Sequence, residues 1–292
     1  MLFRSSFPVC HGEKGIYESN LISGNLGQSN IIELRGGVAS NVVPDSAAAK
    51  LNLSAKELLL TAKKSDGISI SEGGDSIVVN ASGISAHAGT PYDGISAINR
   101  LLEFLLSAEV LNKKERDAAK FLTSISGDIS GKNIGIDCDD KKFTPLTIVA
   151  GLIKKENDFW VMNLNSRYPT AITPETLEER IETAAANNGF SVGNMRNVPP
   201  FYLEPELPAI RVLSDIYNEL TESDENPYVM SGGTYARKMQ NAVAFGPKFP
   251  KRDYPEWVGS AHMKNEALNI DDAILSAEIY AEVLTRLQDV EF

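Results

Sequence analysis

Changes in the period of the hydrophobic positions divide this chain into elements. Ile16 to Ser23 and Ile31 to Gly36 read as strands, the second carrying Ile31, Ile32 and Leu34 before a Gly36-Gly37 turn. Ser54 with Glu57 three residues later is a capping-box pattern ahead of Leu58, Leu59 and Leu60, predicting a helix to about Lys64. Ile68 to Ser71 and Ser76 to Ala81 predict a hairpin around Glu72-Gly73-Gly74-Asp75. Ile95, Ile98, Leu101, Leu102 and Leu105 then follow helical spacing, predicting a helix from Pro91 to about Ala108, with another over Lys113 to Ser126. A stretch rich in Gly, Asp and Lys, Gly127 to Pro145, reads as a long loop before paired strands at Leu146 to Ile153 and Phe159 to Tyr168. Thr173-Pro174 opens a helix with Leu177, Ile181, Ala184 and Ala185 on its inner face, and Gly189 ends it. Beyond Pro199-Pro200 the pattern predicts a helix at Ala209 to Leu220 and short buried strands at Tyr228 to Met230 and Ala242 to Phe245. A final helix over Asp271 to Leu287 is expected to turn Ile274, Ile279, Ala281 and Leu284 inward. Strands alternating with helices indicate an α/β chain.

Composition narrows the class. The 292 residues suffice for a sizeable core in one large or two medium domains, and 42% hydrophobic with 23% charged residues is ordinary globular usage. A formal net charge of -11 and a pI near 4.9 argue against nucleic acid or an anionic membrane as a partner. Cys10 and Cys138 are distant and have no Cys-x-x-Cys spacing, which supports neither a disulfide framework nor a zinc knuckle. The N-terminus lacks the apolar core of a signal peptide and no run approaches a membrane span, so a cytoplasmic location is expected.

Three stretches carry chemistry. In Gly83-Ile84-Ser85-Ala86-His87-Ala88-Gly89-Thr90-Pro91 one imidazole sits among small residues that leave it exposed. A lone loop histidine is more often a solvated surface residue. Tyr228-Val229-Met230-Ser231-Gly232-Gly233-Thr234 reads as strand, glycine turn and helix start, a geometry whose free N-H groups suit an anionic group, although tight Gly-Gly turns are common for other reasons. Gly259-Ser260-Ala261-His262-Met263-Lys264-Asn265-Glu266 offers a histidine of a type that binds zinc, but one histidine cannot hold a metal.

Taken together, these stretches resemble a family. Ser-Ala-His-Ala-Gly-Thr-Pro with its following helix is similar to the lid-domain histidine motif of the dinuclear zinc peptidases that include aminoacylases, carnosinases and the dipeptidase V group. Gly-Gly-Thr-Tyr-Ala-Arg, Asn-Ala-Val-Ala-Phe-Gly-Pro, Ala-His-x-x-x-Glu and Ile-Asp-Asp, in that order, resemble the C-terminal segment of dipeptidase V-like enzymes. The resemblance implies a metallodipeptidase that hydrolyses dipeptides with two zinc ions, manganese or cobalt being alternatives. Within it, His87 would steady the tetrahedral oxyanion, and Asn41 and Arg167 would reach the substrate, Arg167 gripping its free carboxylate. Ser231, Gly232 and Gly233 would form the loop beside the substrate, and His262 would be a zinc ligand. Without the family, Arg167 reads equally well as a strand-end salt bridge.

The family's first zinc-binding His, bridging Asp, glutamate pair and further Asp precede the lid, and this chain has no counterpart of them; Arg4 stands where the last Asp is expected. The resemblance therefore implies a remnant of the catalytic domain at 1–12, an α+β lid with a ferredoxin-like sheet at 13–190, and the C-terminal half of an incomplete α/β catalytic domain at 191–292. It implies a chain inactive and short of stoichiometric zinc on its own, whose partners would be a short peptide, a separate chain carrying the N-terminal half, or a second copy. The alternative from another class is a non-catalytic remnant whose lid binds peptides or oligomerises. A serine hydrolase lacks its Gly-x-Ser-x-Gly.

Overall fold

The computed structural model describes residues 5–52, 65–259 and 265–290. The expected helix at Ser54 to Lys64, Arg4 and His262 lie outside them. The chain divides into two compact units, Gly15–Pro199 and Met1–Lys14 with Pro200–Phe292. No helix among the described residues is long and apolar enough to cross a membrane.

The larger unit is built on one eight-stranded sheet. Its strands are β2 (Gly15–Ser23), β3 (Ile31–Gly36), β5 (Ser46–Asn52), β6 (Ile68–Gly73), β7 (Ser76–Ser82), β9 (Thr147–Glu156), β10 (Phe159–Tyr168) and β11 (Phe190–Val198), in the order β11-β2-β10-β9-β3-β5-β7-β6. Every neighbouring pair is antiparallel. Helices α1 (Ala97–Ser107), α2 (Lys113–Ser126) and α3 (Pro174–Asn187) share one continuous apolar core with the sheet, through Leu101, Leu102, Leu122, Leu177 and Ile181 against Tyr17, Leu51, Val79, Trp160 and Leu164. Antiparallel sheet plus helices on one face is the α+β arrangement that the resemblance implied for this part of the chain.

Local chemistry explains the helix ends. Asn112 and Glu115 form a reciprocal capping box at α2, with bonds of 2.9 and 3.0 Å. Thr173 caps α3 and Pro174 occupies its first turn. The helix expected from Pro91 begins instead at Ala97, capped by Ser96. The intervening backbone is already committed: Gly94 N-H closes a turn onto Pro91, and Ile95 exchanges two 2.9 Å hydrogen bonds with Ile84.

The smaller unit has a short sheet, β12-β1-β13, from β1 (Cys10–Glu13), β12 (Phe201–Tyr202) and β13 (Tyr228–Met230), with β1 parallel to β13 and antiparallel to β12. Helices α4 (Pro208–Thr221) and α5 (Ile270–Arg286) pack around Phe7, Val9, Ile216, Tyr217, Phe249, Ile279 and Val283. Ala242 to Phe245 is no strand; Ala244 makes only an isolated bridge to Cys10. The inward face of α5 also differs from expectation. Ile279 is fully buried, whereas Ile274 is 56% and Leu284 71% exposed, with Ala281 exposed beside them. Val283, Ser276 and Asp272 take the inner positions.

Candidate functional site

In the larger unit the sheet face opposite the helices carries a small ribbon, β4 (Val42–Val43) paired with β8 (Ala86–His87), Val42 opposite His87. The residue after the histidine is its anchor. Buried Ala88 packs with Val43 and Val149, donates its N-H to Asn41 O at 2.9 Å and accepts from the Thr147 hydroxyl at 2.8 Å. Ser166 Oγ in turn donates to Thr147 O at 3.0 Å. His87 is thus an exposed ring on a clamped backbone.

Its protonation is directed as well as its position. Gly89 N-H donates to His87 Nδ1 at 3.1 Å, so the neutral ring carries its proton on Nε2. Partial desolvation, and then the Arg167 guanidinium, lower the histidine pKa from its usual 6.5. The result is a neutral imidazole with a free-facing donor, suited to an oxygen that gains negative charge.

Arg167 lies on β10, opposite Ile16 and Thr147, and is almost wholly buried. Alternation explains the placement: Trp160, Met162, Leu164 and Tyr168 enter the helical core, so Asn163, Asn165 and Arg167 turn to the ribbon's face. Burial without the apolar core is unusual for arginine. Asn41, half-buried at the start of the ribbon, is brought to the same face by its carbonyl bond to Ala88. The Ala39–Ser40 backbone rests on Gly151, where any β-carbon would stand 2.3 Å from Ser40 O.

In the smaller unit, Ser231, Gly232 and Gly233 follow β13 directly. What comes next is a three-residue 3-10 turn, Ala236–Lys238, rather than the expected α-helix, so no helix dipole serves this loop. Two residues without an assigned role in the sequence reading organise it. Glu13 is fully buried at the end of β1; it accepts the Thr234 N-H at 2.9 Å, the Thr234 hydroxyl, and Arg237 Nε at 2.6 Å. Arg237 Nη2 donates to Lys14 O at 2.9 Å and Gly232 O at 3.3 Å. Among the described residues no acceptor meets the N-H groups of Gly232 and Gly233. The available signal was one charge in Gly-Glu-Lys-Gly and its opposite in Gly-Gly-Thr-Tyr-Ala-Arg, 224 residues apart in the chain.

His262 lies outside the described residues; the flanking Gly259 and Asn265 are joined by a 3.0 Å backbone bond. The remaining histidine, His11, is buried with Nδ1 2.6 Å from Leu203 O and its ring against Tyr202, a structural role. Burial, and then the Glu13 carboxylate, push the Cys10 thiol up to about 12, which leaves it protonated at neutral pH. Among the described residues no group of three or more His, Cys, Asp or Glu is placed to hold a metal.

Comparison with known proteins gives this geometry a context. No family model matches the chain. It is 29% identical over 297 residues to "Putative dipeptidase YtjP" of Bacillus subtilis, covering 97% of this chain and 62% of that protein. It is 26% identical over 298 residues to "Putative dipeptidase SAB1611c" of Staphylococcus aureus, with the same coverage. The chain thus spans 62% of the length of these relatives. Its fold is similar to that of an aminoacylhistidine dipeptidase from Vibrio alginolyticus, with a TM-score of 0.51 at 11% identity, covering 97% of this chain and 64% of the other.

Proposed function

We propose that this chain, a relative of the dinuclear zinc peptidases, works in the hydrolysis of dipeptides and similarly short peptides. The likeness to dipeptidase relatives along 97% of its length carries the reading. In it, the Nε2-H of neutral His87 stabilises the oxyanion that forms when the peptide carbonyl is attacked, a contribution worth about 100 to 1,000-fold in rate. The Arg167 fork takes the C-terminal carboxylate, which restricts substrates to short peptides, and Asn41 adds a polar contact. Ser231, Gly232 and Gly233 offer backbone donors to the peptide.

Two divalent ions, zinc foremost, would supply the activated water. The described side chains do not hold an ion by themselves, and His262 is the position proposed as a ligand. The chemistry assigned to this chain is therefore binding, orientation and charge stabilisation. The remaining ligands and the base would come from polypeptide corresponding to the part of the relatives that this chain does not match.

The test is hydrolysis of L-alanyl-L-alanine and metal content, measured on the purified chain with zinc or manganese, alone and mixed with the unmatched part of the Bacillus subtilis relative. Turnover on mixing, abolished by His87→Gln, supports the reading. Turnover by the chain alone with two bound ions supports dipeptidase activity and removes the need for a partner. Absence of turnover and of dipeptide binding in both arms sinks it.

A further inference from the structure

We infer that Glu13 and Arg237 are positioning residues that fix the Ser231-Gly232-Gly233 turn in the shape that receives a peptide. The inference rests on the proposed peptide-binding role of that turn. Three observations point to it. The carboxylate is fully buried and spends both oxygens on the turn's flank, Oε1 on Thr234 and Oε2 on Arg237. The guanidinium, its side chain only 10% exposed, spans the carboxylate, the Lys14 carbonyl and the Gly232 carbonyl, so one rigid group ties β1 to the middle of the turn. With the Gly232 carbonyl taken by Arg237, the Gly232 and Gly233 N-H groups meet no acceptor among the described residues.

The network is costlier than packing alone requires. A buried ion pair is often matched in stability by apolar residues of similar volume. Here Arg237 also keeps its Nη1 buried without a hydrogen-bond partner among the described residues. A purely structural brace would more simply be apolar, as the neighbouring cluster of Cys10, Ala236 and Ala244 is. Fixed geometry at a glycine turn, whose residues otherwise sample many conformations, is what the pair adds.

The experiment uses the full chain and two independent readouts: NMR amide exchange at Gly232, Gly233 and Thr234, and titration with L-alanyl-L-alanine. Glu13→Gln and Arg237→Met each strand a buried partner, so the deciding variant is the double Glu13→Gln/Arg237→Met, which removes both charges. The expected result is a melting temperature within a few degrees of the wild type, faster exchange at the three amides, and dipeptide binding weakened by at least about tenfold. Arg237→Lys keeps the charge but cannot span Glu13, Lys14 O and Gly232 O together, and is expected not to restore affinity. Unchanged exchange in the double variant overturns the inference, as does faster exchange with unchanged affinity. If the wild-type chain binds no dipeptide, the proposed peptide-binding role of the turn fails, and with it the inference. Exchange then still reports whether the pair shapes the turn.

Discussion

Replacing Gly151 with alanine tests how the His87 ribbon is held. The new β-carbon would stand 2.3 Å from Ser40 O and 2.7 Å from Ala39 O, both backbone atoms that cannot rotate aside. Reaching an ordinary contact of 3.4 Å needs a displacement of about 1.1 Å, the difference between 3.4 and 2.3. The strand itself has little room to move, because it is hydrogen-bonded between β10 and β3 and Gly37 lies so close that its own β-carbon would be 1.9 Å from Gly151 O. The displacement therefore falls on the Ala39–Asn41 connection, and through Asn41 O on Ala88 and the histidine beside it. Overpacking of this kind costs about 1–3 kcal/mol. At about 2–4 °C per kcal/mol for a unit of this size, melting should fall by about 2–12 °C. Thermal denaturation reads the loss of stability, and the His87 ring signals in a proton-carbon NMR spectrum read the displacement. Melting within a degree of the wild type and unmoved ring signals would refute the claim that close glycine contact sets the ribbon.

Three further outcomes follow from the same geometry. Because folding lowers the His87 pKa below its ordinary 6.5, the unfolded chain binds the proton more readily; the associated stability is fully present above pH 6.5 and is lost as pH falls through the folded value. Urea titrations between pH 8 and 5 should show this slope, and His87→Gln should reduce it; an identical slope in the variant contradicts the assignment. Arg167→Met should raise the NMR titration midpoint of His87 while desolvation still holds it below 6.5, and in an assembled enzyme it should weaken dipeptide binding by about 10 to 100-fold, as loss of a charged hydrogen bond implies. Asn112→Ala removes the capping oxygen of α2 and should cost about 1 kcal/mol, visible as a melting temperature lower by about 2–4 °C; no change would show that Glu115 alone suffices at that helix start.

The sequence was most legible where structure is decided locally. Ile31 to Gly36, Lys113 to Ser126 and Tyr228 to Met230 fall where their patterns place them, since a short apolar run closed by glycines, a capping pair and flanking turns act within a few residues. The family resemblance, carried by motifs around His87 and in the last 65 residues, agrees with the dipeptidase relatives. Legibility failed where distant backbone intervenes. Nothing near Pro91 reveals that Ile95 will pair with Ile84 and delay the helix to Ala97. Likewise the glycine turn looked like a helix start, but Thr234 gives its N-H to Glu13, a partner supplied from the far end of the chain.

Helix α5 isolates the physical reason. Its larger apolar residues divide between two faces: Ile279 and Val283, flanked by the partly buried Leu275 and Tyr280, on one, and Ile270, Ile274 and Leu284, with Ala277 and Ala281, on another, the second set spaced by three or four residues throughout. Helical periodicity identifies each stripe but assigns neither to the interior, because both satisfy the same 3.6-residue repeat. The choice is made by Phe7, Tyr217 and Phe249, which form a core only with the first stripe. A 3.6-residue pattern thus specifies that a helix has a face to bury, while the identity of that face depends on residues that local sequence does not name. The same division runs through both candidate sites. His87 stands out among its small neighbours, but the clamp on Ala88 comes from Asn41, Val43, Thr147 and Val149; the glycine turn stands out by its composition, but its shape depends on a carboxylate in another strand.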